Sequence, residues 1–396
     1  MGMKSRLGFL ILLLFYLTSC QRNQSGNQPV QEAGIDPELL RQAAMEKNRT
    51  PHDLFRRINI PFAQAVCNIF EDEVGNMPSV ILHGDAHLEQ YTVTDHSAGL
   101  ADFDDAAIGP AILDLIRFGS SIYITCEMQG WTKRREEILN AFLGSYQDAL
   151  ANPELDSTVP KAAERLRTEQ LNDRRTFLEW ATSLIEPLEP DQESEVRQGI
   201  ERYIQQMYRR ENDFAPGFFE IKTLGRHDLG LGSARTNKVL ARIEGPTTSE
   251  EDDVILEGKE LRDLSVIECV YAPRGDALRV VLAQLRMGKR NDPFLAVVPR
   301  GPNESPEDMP FWVQSWTESY SEIRIEESFQ NPEEMIELVR DVGIHLAQGH
   351  TALANPFDFV LREVQELICT RQNSSVLEAV ETLSNQIIAA WDESQH

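Results

Sequence analysis

Apolar residues recur at helical spacing through much of the first half of the chain. Three segments have this spacing: 37–47, 54–73 with Pro61 as a break, and nearly all of 110–207. Three short apolar runs between them have the character of strands: 79–82, 91–94 and 99–103. The first half is therefore predicted to be helical, with a small strand-rich insertion.

The pattern changes after about residue 215. Short runs that favour strands, separated by glycine and acidic turns, cover 218–224, 238–243, 254–259, 265–270 and 311–316. Helical spacing returns in 277–289, 332–354, 357–370 and 375–391. This order predicts an α+β protein whose domains are 35–215 (helical), 216–330 (β-rich) and 331–396 (helices that complete the first part).

The first nineteen residues have the three parts of an export signal. Lys4 and Arg6 precede an apolar run from Leu7 to Leu17, and Leu17-Thr18-Ser19-Cys20 reads as a lipoprotein cleavage box. Eleven apolar residues are too few for a bilayer span, which needs about 20. We expect a signal peptide at 1–19, a lipid on Cys20 and a polar tether at 20–34. Gln21 after the cysteine favours the outer membrane, facing the periplasm.

Net charge limits the classes of binding partner, and the positions of the cysteines bear on disulfide formation. With 64 acidic and 38 basic residues the formal net charge is −26, which argues against nucleic acid and against binding to anionic lipid heads. Four further cysteines lie far apart among apolar neighbours: Cys67, Cys126, Cys269 and Cys369. An oxidising compartment permits a disulfide, but four buried thiols are the favoured interpretation.

The stretch from Ile81 to Ser121 is the densest in chemistry. Asp85 follows a predicted strand in a His-Gly-Asp turn, and Asp102 ends another strand 17 residues later. Two strand-end carboxylates joined by a hairpin can converge on one metal–phosphate group. The pattern therefore indicates phosphoryl transfer.

This stretch resembles the catalytic half of the protein-kinase-like phosphotransferases, above all the aminoglycoside and choline kinase branch. The matching residues are His83, Gly84, Asp85 and His87, then Asp102, Phe103, Gly109, Asp114 and Leu115. More closely, the chain from about Thr50 resembles the bacterial family called domain of unknown function 2252. The residues that carry this second resemblance are Gly84 to Glu89, Asp102 to Asp104, Gly109-Pro110, Asp114-Leu115 with Arg117, Gly230 to Ser233, Lys259-Glu260, Arg279 to Val281 with Gln284, Asp292 to Leu295, and Leu346-Ala347 with His350.

The kinase-like resemblance implies roles for these residues. Asp85 would be the base, Asp102 a ligand of Mg²⁺ or Mn²⁺, and Asp114 a brace for the catalytic turn. Asp104 and Asp105 are either further ligands or a solvated turn, and His83 is favoured as a packed support. His87 stays undecided. At the position where the kinase pattern has a metal-binding Asn stands Gln90, whose amide is one methylene longer.

A second constellation lies in the β-rich part. The turn of Gly230, Gly232 and Ser233 can let backbone amides approach a phosphate of a nucleotide such as ATP, and Lys259 would bind it as a point charge. Three side chains could orient that lysine: Glu260, Glu268 and Gln284. Three aromatic residues are favoured as packing over a base-stacking wall: Trp312, Trp316 and Tyr320.

The resemblance implies a two-lobed protein-kinase-like fold in circularly permuted order, because Lys259 follows Asp85 instead of preceding it. The expected function is metal-dependent phosphoryl transfer to an unknown hydroxyl acceptor. Two alternatives stay open: an inactive module that binds a phosphorylated or sugar-like ligand, which Gln90 and export favour, and a structural lipoprotein scaffold. We also expect Lys259 to face Asp102, the 230–233 turn to overhang them, and the 333–353 helix to pack under His83.

Overall fold

The protein is described here by a computed structural model. It describes residues 34–152, 154–169, 173–210, 214–215, 217–227, 237–290, 292–299, 301, 309–351 and 358–396, and for 358–374 the backbone alone. The predicted signal peptide, Cys20, nearly all of the tether and the 230–233 turn lie outside these residues.

The described part is a mixed α+β fold, with 52% helix and 14% strand. Twelve α-helices lie in it, named in chain order: α1 (Pro37–Ala44), α2 (Pro51–Arg57), α3 (Asn59–Ile69), α4 (Glu71–Val74), α5 (Ile112–Met128), α6 (Arg135–Ala151), α7 (Lys161–Glu169), α8 (Arg174–Ser183), α9 (Pro190–Arg210), α10 (Leu278–Met287), α11 (Pro332–His350) and α12 (Asp358–Ser394).

Ten strands form three small sheets. They are β1 (Ser79–Leu82), β2 (Tyr91–Val93), β3 (Ala98–Leu100), β4 (Ala107–Pro110), β5 (Ile221–Arg226), β6 (Lys238–Ile243), β7 (Val254–Glu260), β8 (Ala296–Val297), β9 (Phe311–Trp316) and β10 (Ser321–Glu322). The sheet orders are β1-β4, β10-β2-β3 and β5-β6-β7-β9-β8, and every pairing is antiparallel.

Helix α11 lies at the centre of the helical part. Its residues are buried over nearly the whole length, and it packs closely on α6. A Cβ on Gly343 would lie 2.2 Å from Ser145 Oγ and 2.6 Å from Phe142 O, so only glycine permits this approach. The close packing carries the end of α11, with His350, into the region of β1.

Most predicted elements are confirmed, with four corrections. The 54–73 helix breaks at Ile58 and not at Pro61, which lies in the first turn of α3, where the missing N–H costs nothing. Strands β4, β8 and β10 were missed, and 265–270 is a run of turns instead of a strand. The last two predicted helices form one continuous helix, α12.

The favoured interpretation of four free thiols is wrong. Cys67 on α3 and Cys269 form a disulfide with a Cα–Cα distance of 5.6 Å, and Cys126 is a buried free thiol. Spacing alone could not reveal the pair, because 202 residues separate its members. Within 265–270, Ile267 is buried and Val270 packs against the core, whereas Val266 is exposed. Among the described helices, none is long and apolar enough to cross a membrane.

Candidate functional site

The His83-Gly84-Asp85 turn follows β1 directly. Gly84 has φ +81°, and a Cβ there would lie 1.8 Å from the carbonyl oxygen of Asp105, so the turn requires glycine. His83 is fully buried, packs its ring on Phe103 at 4.7 Å and has Nε2 3.0 Å from the carbonyl of Ala101. Burial lowers the pKa of His83, which suits a packed support.

Asp114, in the first turn of α5, holds the backbone of this turn. Its carboxylate accepts hydrogen bonds from the backbone N–H groups of His83 (2.7 Å) and Gly84 (2.9 Å). His350 Nε2, at the end of α11, lies 3.0 Å from the same carboxylate. The prediction that this helix packs beside the His83 turn is therefore confirmed.

Asp85 is held by a buried arginine. Arg117 Nη2 and Nε on α5 donate to Asp85 Oδ1 at 2.8 and 3.0 Å, and the guanidinium stacks on Phe55 at 3.6 Å. Burial raises the pKa of Asp85 to about 6, against the lowering effect of Arg117. His87 is buried with Nε2 3.9 Å from Asp85 Oδ2, and burial keeps its pKa well below the usual value. The imidazole on the Oδ2 side of Asp85 is thus neutral.

Asp102 adopts an unusual backbone conformation and faces Lys259. Its φ is +62°, in the left-handed region that non-glycine residues rarely adopt. Lys259 Nζ on β7 donates to Asp102 Oδ1 at 2.7 Å and to Asp104 Oδ2 at 3.2 Å. Gln90 Nε2 lies 3.5 Å from Asp102 Oδ2, so the long amide still points at this carboxylate. The predicted juxtaposition of Lys259 and Asp102 is confirmed.

The charges of this group are strongly coupled. Burial acts against ionisation of Asp102, but the charge of Lys259 holds the pKa of that carboxyl well below its usual range. Burial and the neighbouring charge of Asp102 raise the pKa of Asp104 to about 7. Two carboxylates and one ammonium therefore share one site with unequal protonation.

A third acidic neighbour of Lys259, on its own strand, was missed by sequence reasoning. Glu257 lies two residues before it on β7, on the same face, with Oε2 3.9 Å from Nζ. Glu257 also accepts hydrogen bonds from Gln314 (2.9 Å) and Trp316 Nε1 (3.0 Å), and His227 lies 3.1 Å away. Burial opposes its charge, yet Lys259 holds the pKa of Glu257 down to about 2.

The three side chains that were expected to orient Lys259 have other contacts or positions. Glu260 accepts from the backbone and side chain of Asn237, Gln284 is buried on α10, and Glu268 is exposed. The period-two alternation of β7 could have identified Glu257, had the strand boundaries been certain.

The aromatic residues have mixed roles. Trp312 is fully buried, with its ring 5.4 Å from Lys259 Nζ, so its interpretation as packing is confirmed. Trp316 stacks on Trp180 and orients Glu257. Tyr320 donates to Glu322 at 2.8 Å and is partly exposed.

Asp105 lies behind the turn, away from Lys259. Its Oδ2 accepts hydrogen bonds from Arg262 and, at 2.7 Å, from Asn59 Nδ2, which also donates to the carbonyl of Gly84 at 2.9 Å. Asp105 is only 3% exposed. The solvated-turn interpretation is therefore wrong, and the role of Asp105 as a further metal ligand stays a prediction.

A polar groove of about 360 Å³ opens along strand β10. Among its lining residues are Arg165, Tyr320, Glu322 and Arg324. Strand β10, which carries Glu322, pairs with β2 immediately after Gln90. The charge of Asp102 contributes, after burial, to raising the pKa of Glu322, so this wall is electrostatically linked to the Lys259 group.

The described residues include no group of three or more His, Cys, Asp or Glu side chains arranged to hold a metal. Magnesium in phosphoryl-transfer sites needs less, because one or two carboxylates suffice when substrate phosphates complete its shell. Asp102 and Asp104 fit such a site: they converge on one cation, and Asp104 Oδ1 has no hydrogen-bond partner within the described chain.

Comparison with known proteins gives one match. A family model described as "Uncharacterized protein conserved in bacteria (DUF2252)" matches residues 36–171 and 155–392. No curated protein and no solved structure matches the chain.

Proposed function

We propose that this chain, which belongs to the bacterial family DUF2252, transfers a phosphoryl group to a hydroxyl acceptor in a metal-dependent reaction. The donor is a nucleotide such as ATP or another phosphoryl compound present in the cell envelope. The proposal includes a two-lobed kinase-like fold in permuted order, with the catalytic turn ahead of the lysine. It also includes attachment to the outer membrane through a lipid on Cys20.

The observation that carries the proposal is the contact of Lys259 with Asp102, 157 residues apart in the chain. Lys259 is buried among three carboxylates, and Asp102 holds a backbone conformation that costs about 1–3 kcal/mol. Buried ion pairs contribute little net stability, and strained residues cluster at functional sites. A site that binds phosphate and a divalent metal accounts for both costs.

Each residue of the site has a separate role in the proposed phosphoryl transfer. Asp85 accepts the proton of the attacking hydroxyl, and its raised pKa suits a base that operates near neutral pH. Lys259, held by Glu257, binds the phosphates as a fixed charge. Asp102 and Asp104, with the amide of Gln90, would hold the metal, which would neutralise phosphate charge.

The groove beside Gln90 is the proposed acceptor site. Arg165 is already bound to Glu334 at 2.8 Å, whereas Glu322 has Tyr320 as its hydrogen-bond partner. Arg324 supplies a second, exposed cation. A polar hydroxyl compound that carries groups of both charges suits this lining.

A second candidate function is ligand binding without turnover. The ion pair of Arg117 with Asp85 neutralises the proposed base, and Gln90 replaces the shorter amide of the kinase pattern. Both features favour a module that recognises a phosphorylated or sugar-like ligand. Export also separates the protein from the cytoplasmic nucleotide pool.

A thermal-shift experiment on the mature chain tests the phosphate site. Nucleotides and sugar phosphates are added with and without Mg²⁺ or Mn²⁺, and a ligand at 100 times its Kd adds about 2.7 kcal/mol of stability. We expect a metal-dependent rise in melting temperature that Lys259→Met abolishes. Lys222→Met is the matched control, because Lys222 pairs with Asp253 and Glu244 elsewhere in the same sheet.

Turnover separates the two candidate functions. If the chain is an enzyme, Asp85→Asn retains ligand binding and loses phosphoryl transfer to the acceptor. Binding by the wild type without any turnover would establish the second candidate instead. Absence of any response to nucleotides or sugar phosphates would contradict both.

A further inference from the structure

A small cavity lies directly behind the His83-Gly84-Asp85 turn. Its volume is about 20 Å³, and it is bounded by α3, the Gly84 turn, α5 and the segment that leads to Cys269. Three of its lining residues are polar: Asn59, Asp105 and Arg117. A space of this size accommodates one water molecule, which needs at least about 10–15 Å³.

Each of the three polar residues carries one atom without a hydrogen-bond partner. These atoms are Asn59 Oδ1, Asp105 Oδ1 and Arg117 Nη1, each buried and unpaired within the described residues. The three residues are only 2–3% exposed. Buried polar groups nearly always have a partner, because leaving one unpaired costs about 1–3 kcal/mol.

The remaining atoms of these residues are fixed by other contacts. Asn59 Nδ2 donates to the carbonyl of Gly84 and to Asp105 Oδ2, so its amide cannot be reversed without placing an oxygen against two acceptors. Arg117 uses Nε and Nη2 for Asp85. The unpaired atoms therefore cannot be satisfied by a simple rotation of these side chains.

From this geometry we infer that the cavity binds one water molecule that joins Arg117 to Asn59 and Asp105. The water accepts a hydrogen bond from Arg117 Nη1 and donates one to each of the two oxygens. The atom types exclude the alternatives, because a guanidinium repels a metal ion and a carboxylate repels an anion. An ammonium ion could not accept the arginine hydrogen.

The water gives Nη1 of Arg117 a fixed hydrogen-bond partner, in addition to the contacts that its Nε and Nη2 make. Arg117 would otherwise be held by Asp85, the carbonyl of Phe55 and the faces of two phenylalanine rings. The water site itself does not depend on the proposed function. Its consequence, a guanidinium held in one position against the catalytic base, rests on the proposed role of Asp85.

The experiment is a high-resolution crystal structure of the mature chain, together with the variant Ala63→Val. Ala63 lines the cavity from α3, so the added methyl groups displace the water without removing a polar group. In the wild type we expect one electron-density peak within about 2.7–3.2 Å of the three atoms. In Ala63→Val we expect the peak to disappear.

Melting temperature supplies the second measurement. Ala141→Val is the control, because Ala141 is also a partly buried helix residue and valine has the same helix penalty there. We expect Ala63→Val to melt at least about 2 °C below Ala141→Val. A wild-type cavity without density, or equal melting temperatures of the two variants, would overturn the inference. Neither result depends on phosphoryl transfer, whose absence would contradict the proposed function alone.

Discussion

At the residue scale, two opposing effects set the charge of Asp85. Burial favours the neutral acid and raises the pKa of Asp85 to about 6, while the ion pair with Arg117 favours the carboxylate. Because the folded pKa exceeds the unfolded value, protonation of Asp85 stabilises the fold. This contribution is lost as pH rises through about 6. The carboxylate form of Asp85 is thus held at a cost in stability at neutral pH.

This balance predicts a pH profile. Turnover should rise with pH through an apparent pKa near 6, because the carboxylate form accepts the proton. Arg117→Met removes the opposite charge, so the acid limb should move towards higher pH by about 1–3 units. Initial rates of phosphoryl transfer across pH 4–9, a range of about five units, measure the shift.

The control for this profile is Arg165→Met. Arg165 pairs with Glu334 and not with Asp85, so its loss should leave the acid limb in place. An unchanged limb in Arg117→Met would show that Arg117 does not tune the base.

Gln90 offers a second prediction at this scale. The amide nitrogen of Gln90 lies 3.5 Å from Asp102 Oδ2. In Asn the side chain is one methylene shorter, so the amide would lie closer to the backbone of residue 90. If the long amide weakens the metal site, Gln90→Asn should lower the Kd for Mn²⁺ with nucleotide about tenfold, or about 1.4 kcal/mol. Calorimetry measures the affinity, and Gln198→Asn on the exposed face of α9 serves as the control. Equal affinities for the wild type and Gln90→Asn would mean that the loop already compensates.

At the scale of elements, the disulfide ties two segments that both hold the His83-Gly84-Asp85 turn. Helix α3 carries Cys67 and Asn59, which binds the carbonyl of Gly84. Arg262, which binds Asp105, lies on the chain segment that leads to Cys269. Since Asn59 and Arg262 meet at one carboxylate, the bond closes a ring of contacts behind the turn.

Reduction should therefore destabilise the fold. A disulfide that closes a loop of this length contributes up to about 5 kcal/mol by constraining the unfolded chain, and typical losses are about 2–5 kcal/mol. We expect a reductant to lower the melting temperature of the wild type. The Cys67→Ala/Cys269→Ala double variant should melt lower and be insensitive to reductant.

Cys126→Ala is the control for the effect of reductant on the melting temperature. Cys126 is a free buried thiol, so its variant should keep the full response to reductant. If the double variant still responded to reductant, the stabilising bond would involve other cysteines.

At the scale of the whole molecule, the formal net charge of −26 and the predicted lipid anchor both bear on how the protein attaches to a membrane. The acidic surface gives the folded part no attraction to anionic lipid heads, so attachment would depend on the acyl chains. Each buried methylene contributes about 0.8 kcal/mol to membrane binding. The described part of the chain would then stand away from the membrane on its tether.

Cys20→Ser tests this arrangement. The substitution removes the acylated thiol and should release a folded, soluble protein, because the anchor contributes nothing to the core. Incorporation of labelled fatty acid and fractionation of cell envelopes measure the effect. A wild type that takes up no fatty acid, or a serine variant that still does, would contradict the lipid anchor.

The sequence by itself determined the elements and several of the site residues. Period-two and helical patterns located β1, β6, β7, β9 and most helices, because side-chain alternation is a local property of the chain. The His-Gly-Asp turn and the spacing to Asp102 placed two carboxylates on one hairpin. Lys259 was selected only with help from a family resemblance, since its distance of 157 residues from Asp102 carries no local signal.

Only the tertiary structure decided which distant residues meet. Three contacts depend on how the elements pack. They are the Cys67–Cys269 bond, the contact of Lys259 with Glu257 instead of Glu260, and the ion pair of Arg117 with Asp85. Asp105 shows the reason most directly. Its neighbours Asp102 and Asp104 face Lys259, while its own side chain turns inward to Asn59 and Arg262. Asp102, Asp104 and Asp105 are identical side chains that lie close together in the sequence. A tight turn points each of them in its own direction, and contacts from α3 and β7 fix that direction.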